Sequence, residues 1–338
     1  MSVAVRDSAA PIDDDVPRLI DRGLQPSDRV FFTGARAIGA LVLVLTGSIG
    51  LFLFLQLIPT LHRYGWHFFT QVQWIPDSST VGVAAALVGT IEVAAVALLI
   101  SVPLALLTAL YISEYAPRGL KAGLTTLIDL MAAIPSIVYG LWGFFLLEPQ
   151  AANVTRWLST YLGWFPPFQV DTDTHAPVVP LGTRFYGSTT IAGIIVAMMA
   201  LPMACAVMRG VFAQAPVGER EAALALGATR WGVIRAVVLP FGRGGIIGGT
   251  MIGLGRALGE TIAVLLIVSP VYAISDRILQ TGSITVAALI ANQFSEATPN
   301  QLSALLAAGF VLFVLTLSVN LAAAVFITRS RSGTATEI

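Results

Sequence analysis

Arg256 and Glu260 are two ionisable residues four positions apart inside the otherwise apolar stretch 244–271. A charge in hydrocarbon costs about 2.5–3.5 kcal/mol on insertion scales, so each such residue needs a partner or a purpose. On a helix this spacing puts both side chains on one face, within reach of each other and of a shared cavity. Two chemistries are open. The pair can neutralise itself inside a packed bundle. Alternatively, Arg256 offers a planar fork of donors matched to a tetrahedral oxyanion, because a guanidinium keeps its charge when desolvated. In the second case Glu260 sets selectivity: phosphate near neutral pH still carries a proton that a carboxylate can receive, whereas sulfate carries none and is repelled.

Glu92 and Asp129 are further carboxylates in apolar stretches, and each is either a pathway group or a hydrogen-bond partner between helices. The second role is the expectation for both. Arg36 lies at the end of its stretch and can snorkel to the interface. The single cysteine, Cys205, and the scattered His62, His67 and His175 build no disulfide and no metal cluster, so no cofactor is expected. All three histidines lie outside the apolar stretches, which excludes a serine–histidine dyad at membrane depth.

The elements that carry these residues follow from composition. The chain has 338 residues, 56% of them hydrophobic and 11% charged, with mean hydropathy +0.82. A water-soluble fold of this size cannot bury so much apolar surface, so an all-α membrane protein is predicted. About 20 apolar residues cross a bilayer, and six segments qualify: 35–58, 82–112, 122–147, 188–208, 244–271 and 303–327. Three of the connections, 59–81, 148–187 and 272–302, hold only Arg63, Arg156, Arg184 and Arg277, while the other connections and both tails hold thirteen Lys or Arg. The positive-inside rule therefore places both termini in the cytosol, with residues 1–33 and 328–338 as cytosolic tails. The first of these carries Asp13, Asp14 and Asp15 and is expected to be largely disordered. In the outer 148–187 connection, Trp157, Tyr161, Trp164 and Phe165 alternate with polar residues as in an interfacial helix, which either anchors at the headgroups or receives an external partner. Net charge is zero and no basic face is clustered, so no nucleic-acid partner is expected.

One cytosolic connection, 216–240, reads as two short helices hinged at Gly227. Glu219 and Glu221 fall in the first turn, where acidic side chains favour the helix terminus, and Pro240 begins the return to the membrane. Glu221, Ala222, Ala223, Gly227, Val237, Leu239 and Pro240 resemble, in order and spacing, the EAA signature of ABC importer permeases. The resemblance implies a type I ABC importer permease fold and a loop that transmits ATP-driven closure to the spans. The chain cannot supply that ATPase itself. A P-loop needs lysine within GxxxxGK[ST], and the only lysine, Lys121, stands in Gly119-Leu120-Lys121-Ala122.

Three further stretches narrow the resemblance: Gly253 to Thr261, reading GLGRALGET; Ser101-Val102-Pro103-Leu104 with Ser113-Glu114-Tyr115-Ala116-Pro117; and Ala132 to Gly143, reading AAIPSIVYGLWG. Together they are similar to the PstC-type permease subunits of ABC phosphate importers over about residues 80–327. The similarity implies that Arg256 and Glu260 line the path for phosphate. It also implies a PstA-like permease subunit as heterodimer partner, two ATP-binding subunits at the cytosolic face, an extracytoplasmic phosphate-binding protein, and a place in a prokaryotic inner membrane. Sulfate or molybdate would suit Arg256 as well. An ion-coupled secondary transporter would also carry midplane charges, but it calls for internal repeats and leaves the 216–240 loop without a purpose.

Overall fold

The computed structural model describes residues 26–75, 80–170 and 183–330; the run Asp13, Asp14 and Asp15 and residues 331–338 of the expected tails lie outside them. The helices are α1 (Pro26–Tyr64), α2 (Ala84–Leu110), α3 (Arg118–Ala133), α4 (Ser136–Trp142), α5 (Glu148–Leu162), α6 (Thr189–Phe212), α7 (Val217–Ala225), α8 (Arg230–Val233), α9 (Leu239–Gly259), α10 (Ile262–Ile267), α11 (Val286–Gln293) and α12 (Pro299–Ser330). Two short strands, β1 (Trp74–Ile75) and β2 (Thr80–Val81), pair antiparallel with Trp74 opposite Val81. Three π-helical turns, Tyr111–Tyr115, Gly143–Leu147 and Ile234–Val238, continue α2, α4 and α8.

The chain forms two compact units, Met1–Ile49 and Gly50–Ile338. In the first, the described residues are the opening half of α1, whose Val30, Phe31, Ile38, Leu41 and Val44 are exposed, a surface suited to lipid. Residues 26–33, expected as tail, are helical: Pro26 is pre-set for a helix start, and Asp28 complements the terminus.

The second unit is built on close approach of α2, α6 and α9. Ala94, Ala97, Ala105 and Ala109 on α2 and Ala192, Ala197, Ala200 and Ala204 on α6 are all fully or nearly buried. Burying alanine rather than leucine lets backbones pack tightly where lipid supplies no hydrophobic drive. Gly245, Gly249 and Gly253, four residues apart along α9, form a ridge that faces α6: a Cβ on Gly245 would stand 2.5 Å from Val211, and one on Gly249 would stand 2.8 Å from the Ala204 carbonyl oxygen. At one end of this core Ile112, Ile128, Met208, Phe212, Ala215 and Ile234 pack together. At another, Phe68, Trp74, Val81 and Val83 pack with Ile284, Leu289 and Leu305. The first and last long helices meet where Thr60 shares a hydrogen bond with Ser303 at 2.9 Å and the Ser303 hydroxyl reaches the Gln56 carbonyl at 3.2 Å.

Among the described residues five helices are long and apolar enough to cross a membrane, six if a bent pair is counted as one span. That pair corrects the bounds of the span expected over 122–147, since it runs from Arg118 to Leu162. The chain bends by 91° between α3 and the helices beginning at Ser136. Ile134 is extended at φ −67, ψ 128, because the ring of Pro135 disfavours helical geometry in the residue before it. The connection from residue 148 opens with α5, a helix of mixed polarity that carries Trp157 and Tyr161 as the interfacial reading expects, although it begins earlier, at Glu148. A second correction falls in 244–271, where α9 stops at Gly259, Glu260 is extended at ψ 124 and α10 follows. A third falls in 272–302, which contains α11 with Val286, Ala287, Ala288 and Leu289 buried; eight residues are too few to register as a span.

Substitutions on α9 separate ridge from surface. Gly249→Val must push on the Ala204 backbone and is expected to cost about 1–3 kcal/mol, the range for overpacking. Gly244→Ala enters open space and is expected to leave the thermal unfolding of the detergent-solubilised protein unchanged.

Candidate functional site

The site forms where α9 ends. Arg256 occupies its last turn, a position that complements the negative helix terminus. Beyond Gly259 the backbone extends, and the Glu260 side chain turns inward to 5% exposure. Its two oxygens do different work. Oε1 accepts the Ala263 N–H at 3.2 Å, satisfying a free donor in the first turn of α10, while Oε2 stands 3.5 Å from Arg256 Nη2. Thr261 hydroxyl donates to the Gly259 carbonyl at 3.1 Å and steadies the break.

Glu260 is thus held from two sides and Arg256 from one. The Arg256 side chain is 36% exposed, and its buried Nε has no hydrogen-bond partner among the described residues. A guanidinium carries five N–H donors, so most of this fork stays open to an acceptor. The residues pair, as the first of the two readings has it, and the guanidinium keeps donors without a partner among the described residues. The pair spans the end of a helix rather than lying along its middle, because Glu260 itself leaves helical geometry.

The other two carboxylates lie elsewhere. Glu92 hydrogen-bonds the Thr189 side chain at the start of α6 and feels the charge of Asp276 in the 272–302 connection. Asp129, 56% exposed on α3, stands 3.7 Å from Arg209 Nη2 in the last turn of α6. No hydrogen bond or ion pair brings either to Arg256 among the described residues. Both make contacts between elements, as expected for them.

The 216–240 segment has the hinge its glycine predicts. Gly227 sits at φ +83, its N–H bonds the Leu224 carbonyl at 2.9 Å, and the Ala228 N–H bonds the Ala223 carbonyl at 3.1 Å. This is a Schellman closure of α7, which places Ala223 and Gly227 in one hydrogen-bonded turn. Thr229 then caps α8 by accepting the Gly232 N–H at 3.2 Å. The return helix does not begin at Pro240: α8, the π turn and α9 run on continuously, with Pro240 in the first turn of α9 and Leu239 at its start. Glu221 and Ala222 are exposed on α7, and around them Val217, Leu224, Leu226 and Trp231 expose large apolar surface, Leu226 at 89%.

Sequence reasoning missed one constellation. Arg220 Nη2 lies 3.1 Å from Glu114 Oε1, its Nη1 donates to Oε2 at 3.3 Å, and Nη2 also donates to the Phe212 carbonyl at 2.6 Å. The partners are 106 positions apart, and no local spacing announces them.

Residues 101–332 match the family model described as binding-protein-dependent transport system inner membrane component. The chain is 38% identical over 316 residues to the phosphate transport system permease protein PstC 2 of Mycobacterium tuberculosis, covering 91% of this chain and 94% of the relative. It is 41% identical over 260 residues to the phosphate transport system permease protein PstC of Xylella fastidiosa, covering 77% and 78%. Among solved structures, a bacterial ABC transporter involved in import of the acidic polysaccharide alginate superposes with a TM-score of 0.51 at 20% identity, covering 89% of this chain and 99% of that one. The shared feature there is the fold, that of type I ABC importer permeases.

Glu260→Ala removes the acceptor for the Ala263 N–H and is expected to lower stability by about 0.5–2 kcal/mol, the range for a lost helix cap. Glu260→Gln keeps an acceptor there and is expected to melt closer to the parent protein in the same thermal assay.

Proposed function

We propose that this chain, which belongs to the binding-protein-dependent transport system inner membrane component family, is the PstC-type permease subunit of an ATP-driven phosphate importer. The observation that carries the cargo is Arg256: a guanidinium anchored by a buried carboxylate, with donors to spare, at a break between two helices. Relatives named as phosphate permeases align over most of the chain and support the same reading. In this mechanism phosphate delivered by an extracytoplasmic binding protein meets the fork of Arg256. Glu260 receives the hydrogen bond of the remaining phosphate proton, which sulfate or molybdate near neutral pH does not offer. No covalent step occurs on the chain.

The energy arrives through α7 and α8. Their exposed apolar side chains surround Glu221, and an ATP-binding subunit supplies a surface to cover them. Two such subunits drawing together on ATP would rock this chain against a PstA-like partner and alternate access to Arg256. The distribution of Lys and Arg supports a cytosolic side for α7, α8 and both termini.

Phosphate uptake by cells carrying Arg256→Ala is expected to fall roughly ten- to a hundredfold, the worth of one charge-assisted hydrogen bond, with membrane abundance and ATPase co-purification unchanged. Glu260→Gln is expected to erode discrimination against sulfate in competition assays. Survival of full uptake and selectivity in both variants would make the pair a packing device. Separately, Leu226→Asp or Trp231→Asp is expected to abolish co-purification of the ATP-binding subunit while the chain stays in the membrane.

A further inference from the structure

We infer that Arg220 and Glu114 are positioning residues that make α2 and α6 move together with α7. The inference rests on the reading of α7 and α8 as the ATPase-facing segment. Helix α7 buries none of its own side chains, so packing alone grips it weakly. Its chain connection to α9 passes through Gly227, where nothing stands within 4 Å of a built Cβ and the backbone is left-handed. A push on Glu221 through that route meets a hinge.

Arg220, the neighbour of Glu221, offers a stiffer route. Its guanidinium holds Glu114 with two roughly parallel contacts, 3.1 Å and 3.3 Å, the fork arrangement that fixes orientation as well as distance. The same Nη2 reaches the carbonyl of Phe212, the last residue of α6, at 2.6 Å. Glu114 sits in the π turn Tyr111–Tyr115 that prolongs α2, and Ser113 hydroxyl donates to its Oε1 at 2.7 Å. One side chain therefore ties the end of α2 and the end of α6 to the first turn of α7.

The surroundings make the tie firm. The Arg220 and Glu114 side chains are 22% and 12% exposed, so solvent screens them less than a surface pair, and removing either leaves a poorly solvated charge behind. Ala109 and Ile112 at this end of α2 pack in one cluster with Met208 and Phe212 of α6, so the two helix ends already form one body. From α6 the movement passes to α9 across Gly245 and Gly249, and α9 carries Arg256 in its last turn. π turns recur at functional positions in helices, and this one carries the carboxylate that receives Arg220.

The test uses the complete complex, with its partner permease and ATP-binding subunits, reconstituted in proteoliposomes with phosphate-loaded binding protein. Phosphate uptake and ATP hydrolysis are measured on the same preparation. Glu114→Gln and Arg220→Gln are each expected to lower phosphate moved per ATP hydrolysed by about tenfold, while hydrolysis continues and no longer responds to the binding protein. The exchange Glu114→Arg with Arg220→Glu is expected to restore most of that ratio. If hydrolysis and uptake fall in proportion and the ratio holds, the pair is only structural and the inference is overturned. Should neither glutamine variant assemble, Arg220→Lys keeps the charge but loses the fork, and the same criterion applies to its ratio. A parent complex without ATP-coupled uptake would overturn the transport reading itself, an outcome distinct from a parent that couples and variants that couple equally well.

Discussion

Close contact between α6 and α9 is the constraint on which the remaining geometry depends. Lipid is as apolar as leucine, so helices in it gain from fit rather than from escaping water. Glycine at 245 and 249 lets the α9 backbone settle against Val211 and Ala204, and from that contact α9 runs on to its stop at Gly259. Everything at the site is measured from that stop: the exposure of Arg256, the inward turn of Glu260 and the start of α10. At the opposite end of α9 the same contact brings Val238 and Ile234 beside Phe212, where α7 leaves the core.

Charge is then placed sparingly around this packing, and each pair joins separate elements. Arg256 with Glu260 bridges α9 and α10, Arg209 with Asp129 bridges α6 and α3, and Arg220 with Glu114 bridges α7 and the turn after α2. A charge that holds two helices repays its desolvation cost only with good geometry, and the two-oxygen grip of Arg220 on Glu114 is the most complete of the three. Family membership and these contacts describe one kind of object: a membrane component whose elements are tied to one another by a few charged pairs.

Much of this was legible in the sequence. Hydropathy marked each membrane-length segment among the described residues, and Gly227 with Glu221 marked the hinge and its helix. The breaks at Pro135 and Glu260 were harder for different reasons. The turn of 91° at Pro135 could not be read from the proline alone, since tertiary packing sets how far a broken helix swings. Glu260 carries no backbone peculiarity of its own; it leaves the helix because its carboxylate is better satisfied capping α10, a choice that exists only once α10 is in place. Helix α11 is too short for a hydropathy window, whereas the aromatic and polar alternation of α5 did mark a helix. Arg220 and Glu114 were invisible as a pair because 106 residues separate them.

The meeting of Thr60 with Ser303 has a consequence for how the molecule is made. These hydroxyls lie on the first and last long helices, 243 positions apart, so neither has its native partner until nearly the whole chain has left the ribosome. Leu57 likewise waits for Leu305 and Ala308 to cover it. A nascent chain halted before α12 holds a first helix with an open seam, while the opening half of α1 is already at home in lipid. Synthesis therefore ends with a closing event, and quality control has a clear signature to read: an uncovered seam on the first helix marks an unfinished protein.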